Sequence, residues 1–244
     1  MSRIARITGA VRNGAKAGEA TSGRWGARGT NSSGAAWLPS AWQIQSLLLA
    51  YPDDTLTGHA ALAGRLLPTL PGPVREPLRR FLDHLGNTPG ADLAAEYVAT
   101  FDHRRRCCPF LTYYAHGDTR RRGVALVRLK QTYARAGWRL ADDELPDHLA
   151  VVLEFAAAAG QPATGLKLLT DHRAGLELLR LALRDARSPW AELLDSVSAT
   201  LPPLSGDQRT AVARLASEGP PEEEVGLAPF APPEYMPDPT GGPR

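Results

Sequence analysis

The sequence predicts an all-α fold: a single globular, bundle-like helical domain of about eight or nine helices, with disordered ends. Three observations carry that expectation. Between Trp37 and Ser217, apolar residues recur at helical spacing in segments of roughly ten to twenty residues. Val- and Ile-rich runs of period two are almost absent from the same stretch. Proline and glycine, 21 and 23 of the 244 residues, separate these segments or gather at the two ends. No sequence period of about 20–50 residues recurs, so a helical-repeat array is not expected.

The elements follow in order. A helix is expected over 41–51, halted by Pro52, whose ring disfavours helix at the residue before it. Asp53, Asp54 and Thr55 offer caps for the next, which carries Leu56, Leu62, Leu66 and Leu67 and stops at Pro68. Pro73 sits where a first-turn proline belongs, with Val74, Leu78, Phe81, Leu82 and Leu85 following and Gly86 as the expected C-cap. Over 91–101, Leu93, Tyr97, Val98 and Phe101 share one face. Asp118 or Thr119 starts a long helix that Gly137 ends. Pro146 is read as the first turn of another, with Leu149, Val152, Leu153 and Ala156 turned inward. Segments 166–183, 190–197 and 207–215 complete the set.

The ends read differently. Residues 1–36 hold Gly, Ala, Ser, Arg and Thr with no sustained apolar period, so ordering them is not offset by burial. The run 4–11 is broken by Arg6, Thr8 and Gly9, which argues against the apolar core of an export signal. Residues 218–244 form a Pro-rich, acidic tail, in which the triplet 222–224 precedes Val225, Leu227 and Phe230. The domain proper is therefore expected over 37–217.

Net charge is +2, yet the charges are segregated. Residues 1–37 carry six basic side chains and one acidic. Residues 103–139 carry ten basic side chains and one acidic, Asp118, leaving an acidic remainder. Such a pattern steers an encounter with a polar partner without naming it. Arg104, Arg105, Arg120 and Arg121 are candidates for contact with an anion or acidic partner. Arg120, Arg121 and Arg122 fan over roughly 200° of a helix and cannot all face one ligand, so sequence reading of nucleic acid is not expected. No run of about eighteen apolar residues is present for membrane insertion.

Catalytic motifs are missing: no phosphate-binding glycine loop, no His-Glu-x-x-His, no Gly-x-Ser-x-Gly and no Cys-x-x-Cys. The two cysteines, Cys107 and Cys108, are adjacent, which suits neither a disulfide framework nor ordinary zinc-ligand spacing. No metal and no cofactor are expected, and a reduced, cytoplasmic setting is the simplest reading. Asp147 and His148 at a helix start, with Glu154 two turns on, form a small polar strip beside an apolar one. Asp147 is favoured there by the helix dipole, a reason that does not extend to His148.

These residues carry a family resemblance. EYVATFD at 96–102, RRRCC at 104–108, LTYY at 111–114 and HGDTRRRG at 116–123 form one block with LADDELPDHL at 140–149 and VLEF at 152–155. The block closely resembles the NarJ family of nitrate reductase assembly chaperones, within the all-helical redox-enzyme maturation proteins that include TorD and DmsD. WQxxSLLLxYP at 42–52 is also similar to the usual start of that family. The resemblance spans about residues 42–215. It implies a non-enzymatic, cytoplasmic chaperone that binds the catalytic (alpha) subunit of respiratory nitrate reductase in the alpha–beta complex. The chaperone would act while the molybdenum cofactor is inserted and before membrane docking. It implies the client's N-terminal peptide as ligand, and the group's Pro-Asp-His step, here Pro146, Asp147 and His148, as partner-binding residues. Tyr97, Asp102, Tyr113, Tyr114 and Glu154 are further candidates for the groove. The alternative is a nucleotide- or cofactor-binding accessory protein using the basic region 103–139.

Overall fold

Helix α7 (Leu149–Ala158) is apolar on almost every side, and residues 149–156 are all buried. A helix without a polar face belongs in the middle of a protein, and the others are arranged around it. In the computed structural model, residues 4–6, 36–158, 162–219 and 221 are described. Before α7 come α1 (Leu38–Leu48), α2 (Leu56–Leu66), α3 (Gly72–Asn87), α4 (Gly90–Phe101), α5 (Leu111–His116) and α6 (Arg120–Arg135). After it come α8 (Pro162–Asp171), α9 (Arg173–Asp185), α10 (Trp190–Ala199) and α11 (Gly206–Glu218). The fold is all-α, with eleven α-helices among the described residues.

Helix α1 packs along α7, and α10 packs between α3 and α9. Phe81, Tyr97, Phe101 and Trp190 fill the space between α3, α4 and α10, with ring centroids 4.7–5.8 Å apart. Buried polar side chains tie the layers together. Ser46 of α1 donates to the Ala150 carbonyl of α7 at 2.7 Å, and Trp42 Nε1 donates to Thr200 Oγ1 at 3.0 Å. Gln45 donates to Ser196 at 2.8 Å, which donates onward to the Val74 carbonyl at 2.9 Å. Each bond adds about 0.5–1.5 kcal/mol and selects one arrangement of the helices.

Local chemistry accounts for most boundaries. Pro39 and Pro73 occupy first-turn positions of α1 and α3. Ser205 and Gln208 form a reciprocal capping box on α11. Several boundaries differ from those expected, among them α1, which spans Leu38–Leu48 in place of 41–51 and ends well before Pro52. The stretch 166–183 is two helices, α8 and α9, because His172 leaves helical geometry (φ −102°, ψ 16°). Helix α3 runs past Gly86 to Asn87 and yields at Thr88, the residue before Pro89. The six-residue α5 is too short to show a period. Helix α7 begins at Leu149, so Pro146, Asp147 and His148 precede it instead of forming its first turn.

A further departure lies in the N-terminal arm. Ile4–Arg6 forms β1, antiparallel to β2 (Trp138–Leu140), in the register Ile4 with Leu140, Ala5 with Arg139 and Arg6 with Trp138. The expectation of an arm without structure is corrected for these three residues. The rest of 1–35 and the tail 222–244 lie outside the described residues.

Candidate functional site

Three segments converge just before α7: the strap 109–114 leading into α5, Arg122 on the first turns of α6, and the turn 146–148. Backbone bonds set the geometry. The Leu111 N–H donates to the Asp147 carbonyl and the Leu149 N–H to the Pro109 carbonyl, each at 2.9 Å, so Phe110 and His148 face one another in an isolated bridge. The Pro146 carbonyl accepts from the buried Tyr133 hydroxyl at 2.6 Å. Both flanks of the turn are thereby fixed.

The Asp147 carboxylate is fully enclosed, at 0% exposure. Its Oδ2 accepts from the Thr112 backbone N–H at 3.3 Å, from the Thr112 hydroxyl and from Arg122 Nη2 at 3.4 Å. Arg122 also reaches Thr112 Oγ1 through Nε and Asp118 Oδ1 through Nη1, both at 3.3 Å, and lies over the Phe110 ring, 5.5 Å from its centroid. A buried carboxylate is tolerated when it is paired and hydrogen-bonded, which Arg122 and Thr112 achieve for one oxygen. The other, Oδ1, is buried and has no hydrogen-bond partner among the described residues.

This corrects the expectation that Asp147 projects beyond a helix end toward a partner. It sits before the helix, and the strap crossing above it seals it from water. His148 is half-buried and serves as the cap of α7: its Nδ1 accepts from the Ala150 N–H at 3.2 Å, with its ring edge-on to Phe110 at 5.2 Å. An accepting Nδ1 leaves Nε2 as the protonated nitrogen of the neutral ring.

The remaining candidates are dispersed. Tyr97 is buried at 8% exposure, inside the aromatic cluster, so it does not form a groove wall. Tyr114 is buried, its hydroxyl donating to the Arg106 and Cys108 carbonyls at 3.2 and 2.9 Å. Glu154 is buried within α7 instead of continuing a surface strip. Asp102, Arg104, Arg105, Arg120 and Arg121 are exposed, and Tyr113 is half-buried. Arg105 pairs with Asp118 at 3.1 Å, and the neighbouring Tyr113, ahead of that carboxylate, holds its guanidinium above the ordinary arginine range. The basic triplet divides as its helical spread requires: Arg122 turns in, Arg120 and Arg121 turn out. Burial pushes the thiols of Cys107 and Cys108 up. Among the described residues, no group of three or more His, Cys, Asp or Glu could hold a metal ion, and no helix is long and apolar enough to cross a membrane.

Three residues of this junction were not singled out: Phe110, Thr112 and Arg122. One signal was present, the Asp118–Arg122 pair at helical i,i+4 spacing. Chemically, the junction has a charged, hydrogen-bonded interior and a surface that presents Phe110, Tyr113 and His148 beside exposed arginines. It can hold a shaped face rigid, and it presents neither a nucleophile–base pair nor a ligand set.

The family described as nitrate reductase delta subunit matches residues 67–195, which include the whole junction. The nitrate reductase-like protein NarX of Mycobacterium tuberculosis is 37% identical over 164 residues, 67% of this chain, and the match spans about a quarter (24%) of NarX's own length. Bacillus subtilis NarJ, whose name assigns it to nitrate reductase molybdenum cofactor assembly, is 32% identical over 64% of this chain and 85% of its own. The Escherichia coli nitrate reductase molybdenum cofactor assembly chaperone NarJ is 35% identical over 62% of this chain and 65% of its own. A crystal structure of an Archaeoglobus fulgidus protein assigned to redox enzyme maturation shares the fold, with a TM-score of 0.51 at 23% identity over 66% of this chain and 91% of that one. The chain belongs to the nitrate reductase delta subunit family.

Proposed function

We propose that this protein is a system-specific assembly chaperone for a respiratory nitrate reductase. It binds the catalytic (alpha) subunit within the alpha–beta complex, supports molybdenum cofactor insertion in the cytoplasm, and leaves before the complex docks at the membrane. The observation that carries this reading is the family match over 67–195, joined to 32–35% identity with NarJ proteins named for that task. The junction's chemistry supports a binding role over a catalytic one, since its charged groups are spent on one another.

On this reading the face carrying Phe110, Tyr113 and His148, rimmed by Arg105, Arg120 and Arg121, takes the N-terminal peptide of the client. Half-buried aromatics supply contact area and the arginines supply orientation and encounter rate. Asp147 acts from beneath, holding the strap in place. Isothermal titration of a peptide copying the first fifteen or so residues of the alpha subunit tests this directly. Saturable one-to-one binding that weakens when Phe110 and His148 are both replaced by Ala is expected. Binding unchanged in that variant would move the groove elsewhere, and no binding would remove the N-terminal peptide as ligand.

A further inference from the structure

A three-residue strand is a weak structure, and β2 is a three-residue strand in an otherwise helical protein. Its position is nevertheless firm. Leu140 is anchored in a small core with Tyr133, Val151 and Phe155, separate from the main one, and Trp138 packs partly buried against it. Arg139 between them is exposed, so the strand alternates across its two faces. An exposed strand edge presents unpaired backbone donors and acceptors to any extended chain that approaches. Here the approaching chain is the protein's own arm: β1, separated from β2 by more than a hundred residues of sequence, supplies the pairing.

Two features mark that occupant as a poor match for its seat. The first is charge. The arm is strongly basic in sequence, and its described residues 4–6 pair at the end of the basic stretch 103–139, with Ala5 opposite Arg139 and Arg6 opposite Trp138. No opposite charge faces Arg6 or Arg139 across the pairing, so the arm gains no charge complementarity from its seat. The second is space. A pocket of about 240 Å³ opens beside β2, lined by Lys130, Ala134, Trp138, Arg139 and Asp142. It offers an aromatic wall and a side that stays net basic, with Lys130 beside an Arg139 that pairs with Asp142 at 3.7 Å, surroundings suited to an apolar or acidic side chain.

We infer that β2 with this pocket is a strand-addition site for an extended, acidic–apolar segment of a partner protein, occupied in cis by Ile4–Arg6 until that segment displaces it. Main-chain pairing would supply affinity, and the pocket and arginines would supply selectivity. Tethering gives the basic arm a high effective concentration, which compensates for its charge while no partner is near. This site lies outside the Phe110–His148 face and does not depend on the identity of the client.

The test uses the full chain and a full-length variant with both Ile4→Pro and Ala5→Pro. Proline has no N–H, so the double change removes a ladder donor whichever alternate residue faces β2. Hydrogen exchange is followed at the amides of 138–140, with two probes titrated: the pentapeptide acetyl-Glu-Val-Glu-Ile-Glu-amide and a peptide copying residues 1–10. The variant should exchange at least tenfold faster at 138–140, with its helices unchanged. The acidic peptide should restore protection at a concentration at least threefold below the basic copy, and should need more in the wild-type chain than in the variant. Four results would overturn the inference. These are equal exchange at 138–140 in both chains, no protection by the acidic peptide, tighter binding by the basic copy, or faster exchange throughout the helices, which would make β1 a structural staple.

Discussion

At Asp147 the chain gives up surface access for position. A carboxylate with no exposure, one oxygen held by Thr112 and Arg122, makes the strap 109–114 and the first turns of α6 depend on one another. Arg122→Met leaves that carboxylate buried without its countercharge. Because Arg122 itself keeps 20% side-chain exposure, the expected loss is about 2–3 kcal/mol, below the full cost of orphaning a deeply buried ion. Asp147→Asn retains an acceptor for Thr112 and should cost about 1 kcal/mol. Urea unfolding of the two variants checks the order, and an Arg122→Met loss below that of Asp147→Asn would show that the charge is compensated elsewhere. His148 needs a matched pair of substitutions, since it caps α7 through Nδ1. His148→Asn preserves the cap and should melt within about 0.5 kcal/mol of wild type, whereas His148→Leu should lose about 1 kcal/mol. Peptide affinity lost in both variants then reports on the imidazole, and affinity lost only with the cap reports on the helix.

His172 adds a pH dependence. Burial lowers its pKa from the ordinary 6.5, against the opposing pull of Asp171 and Asp147. The unfolded chain therefore takes up the proton first as pH falls, so stability declines from about pH 6.5 downward through the folded-state value. Melting temperature should drop as pH falls below about 6.5, and His172→Gln should flatten that drop. An identical slope in the variant would assign the effect to other groups.

Helices were legible where a face or a stop was written locally. Pro73 marks a start, whereas the stop expected at Pro52 comes earlier, after Leu48, and the burial of 149–156 on every side, Glu154 included, exceeds the one inward face expected. Less legible was anything decided by a distant neighbour. Six residues of α5 show no period, and β2 has no strand pattern because its pairing comes from residues 4–6. The burial of Asp147 depends on a strap some thirty-five residues earlier, which propensity at Pro146–His148 does not encode. A close helix contact shows the same dependence. A Cβ at Gly175 of α9 would lie 2.8–2.9 Å from the Tyr114 side chain, whose hydroxyl holds the Arg106 and Cys108 carbonyls just before the strap. Gly175→Ala should therefore destabilise by about 1–3 kcal/mol despite alanine's better helix propensity. Thermal melting checks the sign, and a stabilised variant would mean that α9 and α5 part easily.

Over the whole molecule, the segregation of charge and the absence of catalytic motifs excluded more than they identified. The block 96–155 identified the family, since its motifs are specific in a way that helical period is not. It did not identify which of its side chains face a partner: Tyr97, Tyr114, Asp147 and Glu154 are buried, and Phe110 entered only with the structure. The protein's proposed role as a chaperone is tested most directly by the molybdenum content of the nitrate reductase alpha–beta complex, purified from the host with and without this gene. Without it, the polypeptides should accumulate with molybdenum reduced at least fivefold, restored by the full chain and not by a variant with Phe110 and His148 both replaced by Ala. Full molybdenum occupancy in the absence of the gene would contradict that role.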